Sequence, residues 1–157
     1  MQEARLEKEK SRGKKILIMG LPGAGKSWLS ERLAKAWNAA WFNADQVRSM
    51  ANDWDFTEAG RIRQAQRMKN FAEFETNHGR WAICDFVCPT PETRAMFKPN
   101  WIIWVNTIQK GRYEDTNKIF VPLQPQEPCR NRITVTTLMT DKEIEEFARR
   151  YRPWIAA

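Results

Sequence analysis

The densest chemistry in the sequence lies in GLPGAGKS, residues 20–27. Gly20, Gly25, Lys26 and Ser27 satisfy the spacing G-x-x-x-x-G-K-S/T, in which glycines let successive backbone N–H groups converge on phosphate oxygens. Lys26 would reach the β- and γ-phosphates of a nucleoside triphosphate and Ser27 would ligate magnesium, so ATP is the expected co-substrate and Mg2+ the expected cofactor. Leu21, Pro22, Gly23 and Ala24 complete the loop, and Trp28 follows it directly. A guanine-specific Asn-Lys-x-Asp signature is not met: Asn117 and Lys118 begin one, but Phe120 stands where the acid belongs.

Two carboxylates stand where a phosphate held in that loop could be used. Asp45 closes the run AAWFNAD. At the carboxyl end of a strand it would orient an acceptor hydroxyl and take its proton, whereas ADQVR also fits a helix cap. Asp85 closes WAICD, a strand-end position from which an acid holds magnesium directly or through water, or else caps the next loop. Cys84, Cys88, Cys129 and the single His78 lack zinc-site spacing and read as buried or incidental thiols. Lys110, Arg112 and Lys118 would close over phosphates and exclude water, or form a solvated charge run with Glu114 and Asp115.

These groups need a scaffold of alternating strands and helices. KILIM before the loop reads as a strand buried on both faces, and KSWLSERLAKAWN after it has helical spacing through Leu29, Leu33 and Trp37. AAWFNAD, RWAICDF, WIIWVN and RITVTT supply further strands, and DQVRSM a short helix. The longest helical pattern starts at a Thr57 cap, presents Ala59, Ile62, Ala65, Met68, Phe71 and Ala72 on one face, and stops near Gly79. TPETRAMF reads as a helix with Pro91 in its first turn, and TDKEIEEFARRY as a capped terminal helix with Ile144, Phe147 and Ala148 inward. The expected fold is α/β, a parallel sheet of about five strands flanked by helices, with active groups at the strand carboxyl ends.

The length of 157 residues suits one hydrophobic core, so residues 14–157 are expected to form a single domain behind a charged arm or helix at 1–13. Residues 107–131, with Pro122, Pro125 and Pro128 and no sustained periodicity, read as a mobile lid. Hydrophobic residues at 42% and charged residues at 29% exclude a disordered chain, and no apolar run is long enough to span a bilayer. A cytoplasmic protein is the expectation. The formal charge of +7 suits nucleic acid and polyanionic nucleotides alike.

Four blocks, GLPGAGKS, FNADQVR, DFTEAGRIRQAQR and DFVCPTPETR, occur in order between residues 14 and 106. The sequence thereby resembles the adenylyl-sulfate kinase family, which carries a glycine loop, D-G-D-N-V-R, F-S-E-A-D-R-x-x-N and F-I-S-P. The resemblance implies a P-loop kinase fold and transfer of the ATP γ-phosphate to the 3′-hydroxyl of adenylyl sulfate with magnesium. It implies that Asp45 is the catalytic Asp, beside Lys26, and that Arg48 and Arg61 grip the acceptor's anionic groups. Phe56 and Phe86 match aromatic positions that would sandwich an adenine, core packing being the alternative for both. Gln64 stands where the family has Asn in the acceptor site, with Ala44 for Gly and Gln46 for Asn. Cys88 and Asp85 each replace a Ser, and D-P-K-G-L-Y-x-K is missing from the lid. A second reading is a hydroxyl kinase acting on a hydroxymethylated base or strand end in DNA, suggested by the positive charge and eight tryptophans. Of these, Trp28, Trp41, Trp54 and Trp154 fall outside core-like positions. A nucleotide-binding module without transfer is a third reading, and a homodimer is left open.

Overall fold

The computed structural model describes residues 2–3 and 13–157, so most of the charged segment at 1–13 lies outside the described residues. Five strands, β1 (Lys14–Met19), β2 (Ala40–Asn43), β3 (Trp81–Asp85), β4 (Trp101–Val105) and β5 (Arg132–Val135), form one sheet in the order β2-β3-β1-β4-β5. Every pairing is parallel. The helices are α1 (Lys26–Trp37), α2 (Ala44–Ala51), α3 (Glu58–Thr76), α4 (Pro91–Phe97), α5 (Glu114–Ile119) and α6 (Asp141–Ala156). This is the expected parallel sheet of five strands flanked by helices. Among the described residues no helix is long and apolar enough to cross a membrane.

Strand β1 explains the layering. Side chains alternate across a strand, so Ile16 and Ile18 enter one core with Leu29, Leu33 and Trp37 of α1 and Ile144 and Ala148 of α6. Leu17 and Met19 enter the other with Val47 of α2 and Ala65, Met68 and Ala72 of α3. Burying each Ile, Leu or Met of β1 contributes about 1.5–3 kcal/mol, which is why the central strand is an unbroken apolar run. Because β1 is central, its carboxyl end delivers the glycine loop to the middle of the sheet edge. The register pairs Asp85 with Ile18 on one side and with Asn43 on the other, setting the ends of β2 and β3 beside that loop.

Helix α3 buries a different face from the one its apolar spacing indicates. Gly60, Gln64, Ala65, Met68 and Ala72 are buried, whereas Ala59 is exposed and Ile62 and Phe71 remain 39% exposed. The rotation follows from close approach at the helix start, where a Cβ on Gly60 would lie 2.1 Å from the Asp55 carbonyl oxygen. Gln64 tolerates burial because both ends of its amide are hydrogen-bonded, to Ala44 O at 3.1 Å and Arg67 at 2.7 Å. Thr57 caps this helix as expected, accepting from Gly60 N at 3.2 Å, and Thr90 and Thr140 cap α4 and α6 in reciprocal capping boxes.

Within residues 107–131, the expected lid, the two halves are held differently. The second half is pinned by Arg94 of α4, which donates to Glu127 from Nε at 2.7 Å and Nη2 at 2.8 Å and also bonds the carbonyls of Cys88 and Val121. Arg132 of β5 holds the carbonyls of Gln124, Glu127 and Cys129. Prolines and absent periodicity mark this stretch as irregular, but buried guanidinium groups supply the partners that a helix or strand would otherwise provide.

Arg94 and Glu127 are 1% and 5% exposed, so removing one partner strands a buried charge. Glu127→Ala is expected to cost about 3–5 kcal/mol in urea denaturation. Burial alone would raise the Glu127 pKa, but the bonds from Arg94 hold it below its ordinary value. The pair's contribution is therefore complete above the unfolded carboxyl range and lost as pH falls through the folded value. The stability gap between wild type and Glu127→Ala should narrow on acidification.

Candidate active site

Glycine places the loop where an anion can be held. Gly25, the residue preceding α1, has φ 102°, a left-handed conformation that side chains disfavour. No side chain caps α1 and no acid occupies its first turn, so its leading N–H groups and dipole remain open to phosphate. Lys26 Nζ donates to Leu21 O at 3.0 Å, curling the side chain back along the loop. Burial lowers the Lys26 pKa to about 8, with the charges of Asp85 and then Asp45 opposing the fall. Binding of an ATP analogue restores the positive partner's advantage. Complex formation at pH 8 is expected to take up a proton, read by titration calorimetry in buffers of different ionisation heat, and this uptake should vanish in Lys26→Arg.

Asn43 is the hub that sequence reasoning missed. Its Nδ2 lies 3.0 Å from Ser27 Oγ and 3.0 Å from Asp85 Oδ1, while its Oδ1 accepts from Gln46 N at 3.1 Å and so caps α2. Asp45 is therefore neither at a strand end nor the cap: β2 stops at Asn43 and Asp45 is exposed in the first turn of α2. Among the described residues no hydrogen bond engages its carboxylate, yet its charge is felt at Lys26. An Asn immediately before an apolar helical run was the available signal, since Asn is a preferred N-cap. Ala44 and Gln46, the two departures around Asp45, serve this junction through a carbonyl and an amide N–H.

Asp85 is 2% exposed, and burial raises its pKa. The hydrogen bond from Trp41 Nε1 to Oδ2, the charge of Lys26 and the bond from Asn43 oppose that rise. Both carboxylate oxygens thus carry N–H donors, so Asp85 suits a cation reached through water, beside the exposed Ser27 hydroxyl. Among the described residues no cluster of three or more His, Cys, Asp or Glu could hold a metal on protein groups alone. This donor set fits magnesium that arrives with nucleotide phosphates, which supply its remaining oxygens.

The remaining candidates separate by burial. Phe56 is 52% exposed, with the Arg48 guanidinium 4.3 Å and the Arg61 guanidinium 5.6 Å from its ring centroid. Arg48, itself buried, also holds the carbonyls of Asp53 and Asp55, and Arg61 Nε donates to Phe56 O at 2.8 Å. Arg67 and Arg63 fix Asp53 from α3, so this turn is a rigid platform. Phe56 and Arg61 line a cleft of about 440 Å³ with Glu58, Pro89, Glu92 and Asp115. Phe86 is elsewhere: at 6% exposure it packs edge-on to Phe97 with centroids 5.4 Å apart, so the adenine sandwich with Phe56 is replaced by core packing. Gln64 is likewise a strut between α2 and α3, its amide fully used, instead of an open acceptor contact. Cys88 is buried with its thiol pushed up to about 12 by desolvation, which excludes it as a nucleophile.

Residues 107–112 lie on the phosphate-binding loop. Thr107 Oγ1 donates to Ala24 O at 2.7 Å, and Asn117 brackets Gly111 by accepting from its N–H at 2.8 Å and donating to its carbonyl at 2.9 Å. A Cβ built on Gly23 would lie 4.0 Å from Arg112 Nη2, so this arginine reaches the loop. Lys110 instead pairs with Glu114 in solvent at 3.6 Å, and Lys118 is exposed on α5.

The family model for adenylylsulphate kinase matches residues 12–132. The chain belongs to the adenylylsulphate kinase family. As a member it is a P-loop kinase, a phosphotransferase with an alcohol acceptor. A shikimate kinase of Corynebacterium glutamicum is 26% identical over 133 residues, 78% of each chain. An adenylylsulphate kinase of Mycobacterium tuberculosis, solved in complex with AMPPNP and APS, superimposes with TM-score 0.68 at 19% identity, over 93% of this chain and 99% of its own. A sugar kinase of Janibacter also gives TM-score 0.68, at 13% identity over 92% of this chain and 99% of its own. The fold is shared across these kinases while the acceptors in their names differ.

Proposed function

We propose that this family member transfers the γ-phosphate of magnesium-ATP to the hydroxyl of a small acceptor seated between α3 and α4, with Asp45 as the base. The observation that carries this reading is the hydrogen-bonded chain Ser27–Asn43–Asp85 set beside Lys26, with an uncommitted Asp45 two residues past Asn43. The loop and the open start of α1 hold the triphosphate, and Lys26 offsets charge gathering on the transferred group. Asp45 accepts the hydroxyl proton as the new phosphate ester forms and ADP departs. Magnesium, held by Ser27 and through water by Asp85, would neutralise β- and γ-oxygens. Arg112 lies over the loop, where it shields the phosphates from water.

Family membership makes adenylyl sulfate the first acceptor to test, and the shikimate and sugar kinases among the similar proteins make other small hydroxyl compounds the next. Of the tryptophans that suggested DNA, Trp28 and Trp54 are 49% and 51% exposed, Trp41 is held on Asp85, and Trp154, 67% exposed, shares a pocket with Lys14 and Asn100 at the amino end of the strands, the edge opposite the loop. The test is phosphate transfer from labelled ATP with adenylyl sulfate, shikimate and hydroxymethylated DNA in parallel reactions. Transfer to a small hydroxyl compound is expected. Transfer to DNA alone would overturn the reading.

A further inference from the structure

The three helix starts nearest the site differ in what charge they invite. Helix α1 has no side-chain cap and no acid in its first turn, the arrangement that receives an anion. Helix α3 begins with Glu58 and is capped by Thr57, and α4 carries Glu92 in its first turn and a reciprocal box between Thr90 and Thr93. In both, one first-turn N–H is already taken by the cap and an acid occupies that turn, so each start is less open to an anion than that of α1. These two starts form the walls of the 440 Å³ cleft, and Asp115 of α5 adds a third acid.

Arg61 is the one cation lining that cleft among the described residues. Its Nε is spent on Phe56 O, and its charge faces Asp115. The remaining surface, with Phe56 and Ile62, is apolar and suits the C–H face of a ring. Carboxylates beside an exposed aromatic ring recognise hydroxyl or ammonium donors and repel phosphosulfate.

Resting on the kinase reading above, we infer that the acceptor cleft selects a hydroxylated ring compound that is uncharged or amine-bearing, and disfavours multiply anionic acceptors such as adenylyl sulfate. The inference is tested by titrating adenylyl sulfate into wild type and into Glu92→Gln/Asp115→Asn, each saturated with magnesium and AMPPNP. Removing two like charges should tighten adenylyl sulfate about tenfold. Unchanged or weaker binding in the variant overturns the inference, because the acids would then be positioning Arg61 for an anion. AMPPNP affinity, measured on the same samples, separates the two levels: its absence in wild type would defeat the kinase reading itself, whereas intact AMPPNP binding with no charge response defeats only the acceptor class.

Discussion

Asp45→Asn is expected to lower kcat by about 10²–10⁴ while leaving ATP-analogue affinity within about twofold, the signature of a lost general base. The substitution keeps size and position in the first turn of α2, and the cap of that helix belongs to Asn43, so folding should not suffer. Loss of charge next to Lys26 has a modest opposite effect on nucleotide binding, since Asp45 is the weaker of the two acids supporting its protonation. A kcat that survives the change would remove Asp45 from the mechanism, and stopped-time assays with a saturating acceptor read this directly.

Lys26→Met should be comparably severe, about 10²–10³ in kcat, because the ammonium acts where charge accumulates in transfer. It should also raise stability. The folded pKa of Lys26 is lowered to about 8 by burial, so at pH 7 the chain keeps a proton on a desolvated amine that the unfolded chain holds without penalty. Between that value and the ordinary lysine range the unfolded state binds more protons, and wild-type stability rises with pH. The advantage of Lys26→Met over wild type in urea midpoint is therefore expected to shrink above pH 8. A loop that loses activity while the protein gains stability is what a functional charge held under strain produces.

The loop, the alternation of strands and helices, and the caps of α3 and α6 were legible because each rests on local chemistry: spacing, alternation and a side chain three residues from its partner. The strand order was not, because parallel pairing joins residues far apart in the chain. Asn43 shows the limit most clearly. Its role as a cap follows from residue type, but its bridge from Ser27 to Asp85 joins the ends of three elements and exists only once the sheet is assembled. Gln64 and Phe86 show a different limit. The family resemblance sets them at acceptor positions, with core packing the other reading for Phe86, and only the assembled fold shows Gln64 as a strut and Phe86 packed on Phe97. The anchoring of the segment before β5 was not legible because Arg94 sits on α4, distant in sequence from the Glu127 and Val121 that it bonds. Irregular backbone and mobile backbone look alike until the buried partner is found.

The most direct test of this account follows the label of γ-labelled ATP in wild type, Lys26→Met and Asp45→Asn, with a panel of small hydroxyl acceptors and magnesium. The structure predicts label on an acceptor hydroxyl in wild type and its loss in both variants, with ATP-analogue binding kept in Asp45→Asn. Label released only as inorganic phosphate, at a rate indifferent to acceptor and to Asp45, would contradict it.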